Sequence, residues 1–150
     1  MRAVLVCVLT VVAGCSRSGD DPFAGSVGAR GSAAAAASEP TVVITPPADA
    51  LAGADAITHV MVTPPAGFHV NDAYPVKLEL APVAGVALAR TTLEAGDAGV
   101  ELDREHLAMA IHVTPTAGTH TVAGKLSVGF CGATSCITRH LPVAVTIAAR

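Results

Sequence analysis

Apolar and polar residues alternate with period two in a series of short runs, the pattern of strands with one dry face and one wet face. Val76, Leu78 and Leu80 alternate with Lys77 and Glu79, and Leu107, Met109, Ile111 and Val113 with Ala108, Ala110 and His112. Further along, Leu126, Val128 and Phe130 alternate with Lys125, Ser127 and Gly129, and Leu141, Val143, Val145 and Ile147 repeat the period. Residues 57–63 (ITHVMVT) predict another strand, stopped by Pro64-Pro65, and Thr41–Thr45 (TVVIT) predicts an edge strand or the end of a linker. Residues 115–118 (PTAG) read as a turn that returns the chain as a hairpin into residues 119–130, and residues 101–105 (ELDRE) as a solvated charged loop. No stretch carries a convincing helical period. Short strands punctuated by Pro and Gly predict an all-β fold over residues 41–150, an antiparallel β-sandwich.

Before residue 41 the pattern changes. Arg2 precedes an apolar run over residues 3–12 that is too short to span a bilayer as a mature helix, and the small Ala13 and Gly14 lead into Cys15. Val12-Ala13-Gly14-Cys15 resembles the lipobox of bacterial lipoproteins, which implies a signal peptide over 1–14 and acylation of Cys15. An ordinary secretory signal with an incidental cysteine would export the chain equally. Residues 15–40 are rich in Ser, Gly, Ala and Asp without apolar periodicity and read as a flexible tether. As a coil the tether spans roughly 25–30 Å. The expected location is the cell envelope, lipid-anchored and facing the periplasm; Ser16, after the lipidated position, points by the same resemblance to the outer membrane.

Composition narrows the chemistry. The 150 residues are 51% hydrophobic but 3% aromatic with no Trp, so a core must come from Val, Leu, Ile and Ala, which suits strands. Nine Lys and Arg against twelve Asp and Glu, without clustering, give a net charge of −3 and no electrostatic case for nucleic acid. Of four cysteines, Cys7 leaves with the signal peptide and Cys15 is consumed by lipid, leaving Cys131 and Cys136. These flank Gly132-Ala133-Thr134-Ser135, a small turn-compatible loop between two strands, and in an oxidising compartment they are expected to pair.

Residues 67–75 (GFHVNDAYP) and the strand after them, the Thr-Ala-Gly-Thr-His turn, and a strand running into Phe130-Cys131 with Cys136 and an apolar closing strand behind it carry a family resemblance. Over residues 57–147 the chain is similar to the immunoglobulin-like N-terminal domain of the DsbD family of thiol:disulfide interchange proteins. The resemblance implies that Cys131 and Cys136 are an exchanging pair, taking electrons from a membrane-embedded thiol reductase and passing them to extracytoplasmic thiol/disulfide proteins. The cysteine spacing is one residue shorter than in well-known family members, and the family's transmembrane and thioredoxin-like domains have no counterpart between Met1 and Arg150. In that family an aromatic cap covers the disulfide; Phe68 and Tyr74 are the aromatic residues of the resembling stretch.

The residues themselves leave three readings of the pair open: a structural staple, a redox-active disulfide, or part of a metal site. His59, His69, His106, His112, His120 and His140 form no His-x-His or closely spaced His/Cys group of the zinc kind, so no metal and no other cofactor is expected. His140, with Arg139, follows Cys136 closely enough in sequence to favour its thiolate. No nucleophile–base–acid arrangement, phosphate-binding glycine loop or paired-carboxylate pattern stands out. The expected function is therefore extracytoplasmic thiol–disulfide exchange, with a non-enzymatic binding or structural lipoprotein module carrying an inert disulfide as the rival.

Overall fold

The computed structural model describes residues 39–150. The expected signal peptide, Cys15 and nearly all of the expected tether lie outside the described residues. The long alternating runs form β2 (Ala56–Thr63), β4 (Lys77–Leu80), β8 (Leu107–Pro115), β9 (Gly118–Cys131) and β10 (Cys136–Ala149). The segment left open between strand and linker is β1 (Thr41–Thr45), paired with β2. Four short strands complete the set: β3 (His69–Val70), β5 (Val86–Leu88), β6 (Thr92–Glu94) and β7 (Val100–Leu102).

These strands make two antiparallel sheets. One runs β1-β2-β8-β5, with β7 sharing the β5 edge of β8; the other runs β10-β9-β4-β6, with β3 sharing the β4 edge of β9. Numbered in chain order, this is the A-B-E-D and G-F-C arrangement of an immunoglobulin-like sandwich. The inward positions of both sheets meet in one apolar core: Val60 and Val62 of β2 and Leu107, Met109, Ile111 and Val113 of β8 against Leu78 of β4, Leu126, Val128 and Phe130 of β9, and Val143, Val145 and Ile147 of β10. Burying each such side chain contributes about 1.5–3 kcal/mol, and interdigitated Val, Leu and Ile build this core with a single Phe.

Two expectations need correction. Residues 115–118 do not close a hairpin: β8 and β9 belong to different sheets, so this connection crosses from one layer to the other. Both strands present one apolar face, and that demand is met equally by facing each other across the core. His120, two residues past Gly118, is half-buried. It lies over Gly85 (φ +83°), where a Cβ would collide with the imidazole, and its Nε2 is 3.0 Å from the Thr116 carbonyl oxygen. Nor is the stretch 101–105 a loop throughout, since Glu101 and Leu102 belong to β7 on β8. The remainder is a tight turn in which Asp103 Oδ1 accepts the amides of Glu105 (2.7 Å) and His106 (2.8 Å). Those bonds, the His106 amide foremost, hold the Asp103 carboxyl below the usual carboxylate range.

Candidate functional site: the cysteine rung of the long hairpin

β9 and β10 are each 14 residues long and run side by side along their whole length, Gly118 opposite Ala149 at one end and Cys131 opposite Cys136 at the other. Beyond the last pair, Gly132 N–H donates to Ser135 O at 2.8 Å and closes the loop. Cys131 and Cys136 form a disulfide, with Cα atoms 4.0 Å apart.

Residue parity sets which way the sulfurs face. Leu126, Val128 and Phe130 point into the core, so Cys131, with Gly129 and Ser127, faces outward. On β10, Leu141 and Val143 point in, so Cys136, Thr138 and His140 face outward. The bridge thus stands on the outer face of its sheet; Cys131 is half-buried and Cys136 exposed.

The neighbours differ from those expected. His69 of β3 lies directly opposite Cys131, so His69, Cys131 and Cys136 form one outward row across three adjacent strands. His140 shares that face but stands four residues from Cys136, about 13 Å along the strand. It is engaged there with Ser127, Nδ1 to Oγ at 2.9 Å. Arg139 has the opposite parity and reaches away from the sulfurs to Glu39, Nε to Oε2 at 3.8 Å. The sequence reasoning therefore singled out the wrong imidazole, because closeness along the chain is not closeness across a sheet. The alternation of an outward His69 with the buried Val70 was the available signal.

Both aromatic residues of the resembling stretch sit at this end. Tyr74 lies on the outer face over Gly129, where a Cβ would come 2.7 Å from Tyr74 Cβ, so only glycine fits beside the cysteine rung. Phe68 packs beneath the tip, its Cε1 3.3 Å from where a Cβ of Gly132 would lie, and helps close the end of the core. The connecting segment is fixed by backbone bonds from Asn71 N–H to Gly129 O (2.9 Å) and from Val70 N–H to Arg104 O (3.0 Å). Among the described residues, no three His, Cys, Asp or Glu side chains converge on a point that would hold a metal ion.

No family model matches the chain, and no curated protein matches it. Among solved structures it is similar to AggA, the major subunit of aggregative adherence fimbriae type I from Escherichia coli, at 14% identity over 76% of this chain and 97% of AggA, with a TM-score of 0.39. That likeness is too loose to add to what the strand order shows: an immunoglobulin-like β-sandwich with a disulfide on the outward face of its longest hairpin.

Proposed function

We propose that this domain performs thiol–disulfide exchange through Cys131 and Cys136, presented from a membrane surface by a lipid on Cys15 and the tether that follows. The observation carrying the reading is where the bridge sits. It closes a loop of about six residues, worth about 2 kcal/mol in the chain-entropy model against about 4.7 for a 100-residue loop. It does so on a hairpin whose register is already set along its full length by the backbone ladder. A staple gains least at such a place, whereas an exposed sulfur at the end of a rigid hairpin is open to an incoming thiolate. The family resemblance of residues 57–147 supports the same reading.

In the exchange, a partner thiolate attacks Cys136 Sγ, the more exposed sulfur. The Cys131–Cys136 bond breaks as the mixed disulfide forms, and Cys131 leaves as thiolate beside His69, which is placed to supply a proton. A second partner thiolate then displaces Cys136, so the partner dithiol gives up two electrons and becomes a disulfide while the domain ends as two thiols. Run backwards, the same steps oxidise the domain. The rival reading, a binding module with an inert bridge, draws on the exposed Val43, Ile57 and Met61 on the outer face of the other sheet.

Redox poise separates the two readings. Equilibration in glutathione and dithiothreitol buffers is expected to give a potential above about −300 mV, where labile disulfides sit. Cys131→Ser is expected to leave Cys136 able to hold a mixed disulfide with an extracytoplasmic partner. A potential well below that value, with no trapped species from Cys131→Ser or Cys136→Ser, would leave the binding module as the better account.

A further inference from the structure

The ladder shows which backbone groups of β10 are committed. Asn71 N–H donates to Gly129 O and Ala81 N–H to Ala123 O, so the odd-numbered residues of β9 aim their amides and carbonyls toward β3 and β4. The even-numbered residues of β9 therefore bond β10, which uses Ile137, Arg139 and Leu141 for that purpose. Cys136, Thr138 and His140 are left with N–H and C=O turned to the far side, and β10 is the edge of its sheet. Among the described residues the one hydrogen bond to any of these backbone groups comes from Arg139 Nη1, 3.5 Å from the Thr138 carbonyl oxygen, at the limit of such a bond. Pro142, next in the outward series, has no N–H to offer, and just past the end of β10 Arg150 bonds Ala50 and Ala52. Among the described residues, the stretch of edge that borders the disulfide and has every outward N–H runs from Cys136 to His140.

We infer that residues 136–140 are a docking edge for an extended, cysteine-bearing segment of the exchange partner, which adds to the sheet as an antiparallel strand. This rests on the exchange reading above and names how that site takes its substrate. The geometry gives the edge its chemical use. A residue opposite Cys136 on an added strand would form a hydrogen-bonded pair with Cα atoms about 5.5 Å apart, inside the range of about 4.4–6.8 Å that a disulfide spans. Its side chain would project from the same face as the existing bridge. The incoming sulfur, Cys136 Sγ and Cys131 Sγ would then lie in one row across three adjacent strands, which is the in-line arrangement required for a thiolate to displace one sulfur from another. The two sulfurs are not equivalent in this scheme, because Cys131 has β3 on its outer side and offers no open edge.

The test uses the oxidised full chain and a short peptide of alternating valine and threonine around one cysteine. Its control is the same peptide N-methylated at the amides that would face β10. The unmodified peptide is expected to open the disulfide at least ten-fold faster than the N-methylated one. Thr138→Pro, which removes an outward N–H and leaves the bonds to β9 intact, is expected to abolish that advantage without changing the rate with glutathione. Equal rates for the two peptides, or an advantage that survives Thr138→Pro, would overturn the docking edge while leaving exchange in place. A serine version of the peptide isolates docking from chemistry: its binding, read by fluorescence anisotropy, must be lost on N-methylation. If that binding occurs but neither peptide nor glutathione opens the bridge, the exchange reading fails and the edge stands.

Discussion

The two ends of the β9–β10 hairpin are closed by different means. At the Gly118–Ala149 end, residues 49–53 lash both sheets together: Arg150 N–H donates to Ala50 O, Ala52 N–H to Arg150 O, and Gly53 N–H to Pro115 O at 2.8 Å. There, too, Thr116 N–H donates to Gly85 O at 2.7 Å and His120 fills the space above Gly85. At the Cys131–Cys136 end β10 is the edge of its sheet among the described residues, and the covalent bond lies there. Backbone bonds between the two sheets thus mark one end, and the disulfide marks the other.

Each side of this comparison can be broken separately. The largest effect is expected from Ile147→Asp, which puts a charge on the fully buried core face near the lashed end and should abolish cooperative unfolding by circular dichroism. Gly85→Ala should cost roughly 1–3 kcal/mol from its left-handed φ alone and more from the collision with His120, read as a lower midpoint in urea. Replacing both Cys131 and Cys136 by Ser should cost about 2 kcal/mol and leave a folded β domain. Loss of folding in that variant would make the bridge a staple after all. His69→Ala should change stability by less than about 0.5 kcal/mol, as an outward substitution. It should nonetheless slow disulfide opening several-fold, because the Cys131 thiolate then leaves without an imidazole beside it.

The smallest effect concerns acid. Asp103 has its pKa lowered in the fold, so the stability it lends is present above the unfolded carboxylate value near 3.9 and is lost as pH falls through the lower folded value. The turn it caps bonds β3 through Arg104 and Val70, so acidification should loosen the cysteine end before the lashed end. Amide exchange at Val70 compared with Ala52 below about pH 4 checks this, and Asp103→Asn should reduce the difference.

The sandwich was legible because five strands are long enough for the period to repeat, as in Leu107 to Val113 and Leu141 to Ile147. β3, β5, β6 and β7 were not, since two or three residues do not establish a period and each is a strand only because a long neighbour offers an edge. Pairing partners were equally hidden: alternation tells which side of a strand is dry, not which strand lies beside it, hence the mistaken hairpin at residues 115–118. The cysteine pair could be read from its spacing. His69 and the outward-turned backbone of Thr138 could not, because both depend on the register of β9 with strands distant or adjacent in sequence.

Pro142 sets a limit on how far sheets of different molecules can join. An uninterrupted edge along β10 would attract the like edge of another copy, and such pairing can repeat into fibres. The proline interrupts that edge after three outward residues, Cys136, Thr138 and His140. Under the docking proposal, a copy can accept a short visiting strand beside its disulfide while the proline keeps two like edges from pairing along their whole length.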